Sequence, residues 1–226
     1  VVRPVRATHQ AARPVGQRVG PQPAGKAERP PRGRRHAEVI VREVDRLNLI
    51  VERFLDLTRP RRLLFEPVNI HELLDRVILL EKETPAGQRT AFLRNYDPSL
   101  PEIIADGDQL TQVFLNLVRN ALESMPEGGE IRVVTKIPSA DQLAREREGG
   151  KYTRFIVASI EDEGIGIPQG KEGYLFVPFF TTKEKGSGLG LAVSYQIIKE
   201  HGGRIRIERL KRKGGTAVSV YLPIGP

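Results

Sequence analysis

The chain contains no cysteine and no tryptophan, and only one methionine among its 226 residues. Without thiols, disulfide frameworks, thiolate metal sites and cysteine nucleophiles are excluded. No apolar run approaches the roughly 20 residues needed to cross a bilayer as a helix, and no signal-peptide pattern opens the sequence. The expectation is a cytoplasmic, non-membrane protein; the missing initiator methionine leaves room for a sensory or membrane part upstream.

Charge is unevenly placed. Residues 1–35 carry nine Lys or Arg against one acid, Glu28, and so hold the whole net charge of +8, while residues 36–226 balance at 27 basic and 27 acidic. A basic tail is weaker support for nucleic-acid binding than a basic folded face. No nucleic-acid partner is therefore expected, and a basic-tail binder stands as an alternative. The same 35 residues contain six Pro and four Gly and no hydrophobic period. Such a segment buries too little apolar surface to offset its ordering entropy, so residues 1–35 are expected to be a disordered tail.

From His36 the pattern changes. Ile40, Val44, Leu47, Val51 and Phe54 recur at intervals of four and three, with charged residues between them. That spacing predicts an amphipathic helix over 36–58, ending before Pro60, whose stripe must be buried against another helix or a second subunit. Residues 36–62 form this second unit, and Pro67 closes the linker that follows. A further helix is expected over 69–82, with Asn69 as N-cap and Glu72 completing a capping box. The remaining expectations are a strand over 90–95, a helix from 108 to 124 starting at Asp106 or Asp108, and strands over 130–137 and 152–161. A helix over 188–200 and strands over 203–209 and 216–222 complete the chain. Helices followed by consecutive strands point to a two-layer α/β sandwich over residues 63–226. There is no regular strand–helix alternation and no GxxxxGK[ST] sequence, so Rossmann and P-loop domains are set aside.

Four local patterns carry chemistry. Asn116 and Asn120 lie four apart on one face of the 108–124 helix. An amide oxygen can ligate Mg²⁺ while the NH₂ donates to a phosphate oxygen; taken alone, such a pair is more often an exposed or capping feature. Asp162, followed by Gly164 and Gly166, offers a carboxylate at a strand end and a backbone that a planar base can approach; the plain alternative is an ordinary turn. In Phe176-Val-Pro-Phe179-Phe180-Thr-Thr-Lys183 the aromatics are expected to anchor the base of a loop in the core. Lys183 could set a point charge near phosphates. Gly186, Gly188 and Gly190, with Leu189 and Leu191, run into a helix whose first N–H groups make an anion site.

Each pattern alone is weak; the four in this order resemble the catalytic domain of sensor histidine kinases. DQLTQVFLNLVRNALESM is similar to the N box of that family, DEGIGI to the first glycine box, LFVPFFTTK to the F box and GSGLGLAVSYQIIKEHGG to the second glycine box. Gly215-Thr216 resembles the final glycine–threonine element. REVDRLNLIVERFLDLTRP, PVNIHELL and NYDPSLP resemble the nitrogen-regulation class in particular. The resemblance implies a Bergerat-type ATPase fold binding ATP with Mg²⁺, preceded by a dimerisation helix that makes a homodimer through 36–58.

Carried over by position, Asn120 would bind Mg²⁺ and Asn116 would contact the phosphate–metal region. Asp162 would take the adenine amine, beside Gly164 and Gly166. Lys183, Gly186 and the amides of Gly188, Leu189, Gly190 and Leu191 would border the triphosphate, and Thr216 would lie near adenine. In gyrase-like relatives the position of Asn116 resembles a general-base Glu. An amide cannot deprotonate water, which favours transfer to a delivered nucleophile over hydrolysis.

The acceptor in such kinases is a histidine on the first dimerisation helix, and the family implies an onward transfer to the receiver domain of a response regulator. His9, in HQAARPV, has the family's histidine-to-proline spacing and lies 38 residues before Leu47. The acidic neighbour has become Gln10, and Arg13 stands where the family has Asn. Residues 16–35 then carry four Pro where an apolar-striped helix should continue; each interior proline costs a helix about 3 kcal/mol. A reading-frame error or divergent sequence would produce such a patch. His9 is thus the candidate phosphoacceptor, with an exposed tail histidine as the alternative. His36 starts the surviving helix, and His71 and His201 read as surface or packing residues. A nucleotide-binding regulatory or scaffold module without kinase activity is the alternative function.

Overall fold

The computed structural model describes Val41 and Val44 and residues 63–139, 154–183, 186–210 and 214–225. The expected tail, and with it His9, lies outside these residues, as do the 138–151 loop from 140 onward and the basic hairpin at 211–213. Of the helix expected over 36–58, only Val41 and Val44 are described, both helical. Apart from Val41, every described residue belongs to the second of the two units into which the chain divides, Val44–Pro226.

Among the described residues of that unit, seven strands and three helices can be given bounds. Strand β1 (Glu66–Val68) pairs antiparallel with β3 (Ile103–Ala105) in a small two-stranded sheet. Pro67 is therefore a strand residue, not the end of a linker. The pairing was hidden in the sequence because three-residue strands carry too few positions to show a period. The main sheet contains β2 (Thr90–Asn95), β4 (Gly129–Lys136), β5 (Phe155–Asp162), β6 (Arg204–Arg209) and β7 (Thr216–Pro223), in the order β2-β4-β5-β7-β6. All neighbours are antiparallel except β2 and β4, which run parallel. Helix α2 (Gly107–Ser124) lies in the connection between these two, so one crossover of the kind set aside in the sequence does occur.

Helices α1 (Ile70–Lys82), α2 and α3 (Gly190–Glu200) pack on one face of this sheet. Alternation on the strands decides which face. Ile131 and Val133 of β4, Ile156, Ala158 and Ile160 of β5, and Val218, Val220 and Leu222 of β7 join Leu73, Val77, Leu110, Phe114 and Leu117 in one core. The opposite parity puts Phe155, Val157 and Tyr221 in a separate small apolar group. The two-layer sandwich is thus the observed architecture.

Helix starts follow the expected chemistry. The Asn69 side chain accepts from the His71 and Glu72 N–H groups and caps α1. Glu72 Oε1 takes the Asn69 amide at 3.3 Å instead of the backbone N–H of a standard capping box. Asp106 caps α2 through the Gln109 N–H at 3.0 Å, and its other oxygen accepts the Leu64 N–H at 3.1 Å. Between α1 and α2, Glu81 is buried to 3% exposure and meets Arg119 Nε at 2.8 Å. A buried carboxylate needs such a partner.

Candidate nucleotide-binding site

Helix α2 and the sheet meet along a cleft of about 360 Å³. Asn116, Asn120 and Ser124 are spaced four apart, so one face of α2 presents them in sequence along the cleft over about 12 Å of helical rise. The opposite wall is the sheet. The β5–β7 register sets Asp162 directly across from Thr216, and both reach the cleft. Residues 54 apart in sequence thereby become neighbours. Ile160, Ile167, Ile207 and Val218 supply apolar wall beside the carboxylate.

Asp162 is only 4% exposed. Its Oδ1 accepts the Gly164 N–H at 2.8 Å and the Ser124 hydroxyl at 3.0 Å. Burial pushes its carboxyl above the usual aspartate value, against the opposing pull of these hydrogen bonds, the Thr216 backbone and the Lys183 charge. An acceptor oxygen at the floor of an apolar cleft suits an exocyclic amine with no charge of its own.

At the other end, Asn116 Nδ2 donates to the Gly190 carbonyl at 3.3 Å and to Ser194 Oγ at 3.4 Å. Those bonds tie α2 to the first turn of α3. Gly186, Gly188, Gly190 and Leu191 line the cleft here. The helix itself begins at Gly190, two residues later than the glycine pattern suggested, with Leu189 at its N-cap position. The Leu189 side chain is fully buried in the core, and its N–H is 3.4 Å from the Ser187 hydroxyl. Gly188 has φ 66°, a left-handed conformation that side chains resist.

Two glycines serve close packing. A Cβ on Gly164 would meet Ser124 Oγ at 1.9 Å, so Gly164 sits against the end of α2 and not in the cleft wall. A Cβ on Gly215 would stand 1.9 Å from the Asp162 carbonyl oxygen, which is why a glycine precedes Thr216.

Lys183 lines the cleft, but its ammonium is held by the Glu123 carboxylate, with Asn120 Oδ1 at 3.5 Å. Glu123 is one turn from Asn120, and its part was missed in the sequence because an acidic residue on an exposed helix face usually meets only solvent. The F-box aromatics depart from expectation. Phe179 is 54% exposed with φ 67°, and Phe176 and Phe180 are half-buried against Tyr195 and Tyr174. Outside the core, Phe176 packs on Tyr195 and Phe180 on Tyr174.

The structure thus brings Asn116, Asn120, Asp162, Gly166, Lys183, Gly186, Gly188, Gly190, Leu191 and Thr216 to one cleft, and leaves Gly164 and Leu189 behind its walls. Residues 105–226 match the family model described as histidine kinase-, DNA gyrase B- and HSP90-like ATPase. The chain belongs to this family. Within it, the likeness is to sensor histidine kinases. The sensory histidine kinase/phosphatase NtrB of Escherichia coli O157:H7 is 39% identical over 219 residues, covering 96% of this chain and 60% of that protein. NtrB of Rhodobacter capsulatus is 39% identical over 189 residues, covering 84% of this chain and 52% of its own length. The chain therefore spans about half to three-fifths of the length of these relatives. Among solved structures, the catalytic domain of histidine kinase ThkA is 31% identical with a TM-score of 0.58, covering 72% of this chain and 99% of that one. ThkA in complex with the response regulator TrrA is 29% identical with a TM-score of 0.65, covering 87% of this chain and 53% of that one. The described residues thus resemble the catalytic domain of a histidine kinase, and among them no helix is long and apolar enough to cross a membrane.

Proposed function

We propose that this domain binds ATP with Mg²⁺ and serves an ATP-dependent protein-histidine kinase of a two-component system. The carrying observation is the gathering of paired amides, a buried carboxylate and a glycine-lined helix start in one cleft. The donor set fits the nucleotide: a carboxylate oxygen for the adenine amine, apolar wall for the ring, and neutral amides with a lysine toward the phosphates.

In this reading Asp162 orients adenine, with Gly166 and Thr216 beside it, and Asn120 offers its amide oxygen to Mg²⁺. Lys183, Gly186, Gly188, Gly190 and Leu191 border the phosphates. Asn116 spends its NH₂ on α3 and so holds the phosphate-binding helix start to the metal-binding helix. Bound Mg–ATP supplies the phosphoryl group. The Asn116 amide cannot take a proton from water, which supports transfer to a delivered imidazole over hydrolysis. His9 is the proposed acceptor, the partner is a response-regulator receiver domain, and the helix over 36–58 is the proposed homodimer contact. The solved ThkA–TrrA complex supports that choice of partner.

Gln10 in place of the acid and the prolines of residues 16–35 favour a second reading, a nucleotide-binding regulatory module without transfer. Incubation with γ-labelled ATP separates the two. Acid-labile label that is lost in His9→Gln establishes the kinase, at a rate expected to be low. Absence of any ATP binding at millimolar nucleotide, with or without Mg²⁺, refutes both.

A further inference from the structure

The geometry points to Ser124 as the residue that positions Asp162 and thereby sets the preference of the cleft for adenine. This rests on the reading of Asp162 as the adenine-binding carboxylate and goes one step behind it.

Ser124 is the last residue of α2, eight positions beyond Asn116. Its Oγ lies 3.0 Å from Asp162 Oδ1 and 2.8 Å from the Ala121 carbonyl oxygen. A hydroxyl has one proton, and both of these neighbours are acceptors. Ala121 belongs to the final helical turn, where carbonyls lack intrahelical donors. An ionised Asp162 draws the proton, because a hydrogen bond to a charged acceptor is the stronger of the two. With the Gly164 N–H also on Oδ1 at 2.8 Å, that oxygen is gripped from two separate segments, the end of α2 and the loop after β5. Two donors on one oxygen fix the plane of the carboxylate, and with it the direction in which it can receive an amine.

The backbone reinforces the link. The Ile165 N–H donates to the Ser124 carbonyl at 3.3 Å, and Gly164 packs so closely that any Cβ would overlap Ser124 Oγ. Ser124 therefore joins the helix that carries both asparagines to the loop that carries the carboxylate. It is a positioning residue, acting on the nucleotide through Asp162.

The test compares Mg–ATP with the Mg complex of purine riboside triphosphate, which has hydrogen in place of the 6-amino group, by calorimetry on the full chain. Ser124→Thr and Ser124→Val share a shape and differ by the hydroxyl. The wild type and Ser124→Thr are expected to prefer ATP. Ser124→Val should lose about five- to tenfold in ATP affinity and bind the purine analogue as Ser124→Thr does. Equal preference in the Thr and Val variants overturns the role of Ser124 while leaving Asp162 as the base reader. Weakening of both nucleotides alike by the Val variant overturns it too, since that is general damage to the cleft. A wild type that does not distinguish the two nucleotides overturns the reading of Asp162, and the role of Ser124 with it.

Discussion

Gly188 and Phe179 lie backbone to backbone: the Phe179 N–H donates to the Gly188 carbonyl at 3.0 Å, and a Cβ on Gly188 would stand 2.4 Å from the Phe179 carbonyl carbon. The contact closes the base of the segment that carries Lys183 and Gly186. Both residues are in the left-handed region, and only one of them is a glycine. Gly188→Ala adds a methyl with no room and a φ that alanine resists, at a cost of about 1–2 kcal/mol. Because the displaced atoms border the phosphate end of the cleft, ATP affinity should fall at least about tenfold. Calorimetry beside a thermal melt checks this; unchanged affinity would show that the segment closes without the contact.

The pairing of Lys183 with Glu123 has an electrostatic consequence. A cation meant for phosphates is held by a carboxylate of the helix that also offers Asn120. Glu123→Gln removes a negative charge from the phosphate end and releases the lysine. ATP affinity should rise by about two- to fivefold at low ionic strength, and the gain should shrink as salt screens the cleft. Lys183→Ala should move affinity the other way. A salt-independent change of either sign would count against this account.

How much of this could be read beforehand depends on how local each signal is. The α2 face, with Asn116 and Asn120, and the strand-end Asp162 are local patterns, and the structure has them in one cleft. Asn69 and Asp106 as caps were equally legible, since capping involves only the next three residues. Glu81 with Arg119, Glu123 with Lys183 and Ser124 with Asp162 were not. Each joins residues far apart in sequence, and no periodicity reports which carboxylate will meet which distant partner. The aromatics of 176–180 misled because a cluster of phenylalanines ordinarily signals a core, and here they lie outside it.

His201 shows the same non-local logic in the fold. Its Nε2 accepts the Asp106 N–H at 3.0 Å while Nδ1 faces the Ile197 carbonyl at 2.8 Å. A backbone N–H can only donate, so Nε2 is the unprotonated nitrogen and Nδ1 carries the hydrogen. His201→Ala leaves the buried Asp106 N–H without an acceptor and opens a gap beside Phe65, whose ring meets the imidazole edge-on at 5.4 Å. The expected loss is about 2–3 kcal/mol of stability. Chemical denaturation measures it, and a loss below about 0.5 kcal/mol, the range of ordinary surface changes, would mean that the contact is dispensable.

Asp162 should set stability and nucleotide binding against each other. Its carboxyl is raised above the unfolded value of 3.8, first by burial. The folded state therefore holds this proton more tightly than the unfolded chain. The sign follows: its contribution is most favourable below pH 3.8 and is lost as pH rises through the higher folded value. At neutral pH the nucleotide-free protein carries a buried charge that Asp162→Asn removes while keeping the shape and an oxygen for Gly164 and Ser124. The variant should thus melt no lower than the wild type at pH 7, and its advantage should narrow as pH falls toward 4. ATP, which raises the melting temperature of the wild type by mass action, should raise that of the variant much less, because the amide now presents donors where the adenine amine needs an acceptor. Melting curves at two pH values, each with and without Mg–ATP, read all of these at once. A variant that is both less stable and equally responsive to ATP would assign Asp162 to the fold and remove it from the site.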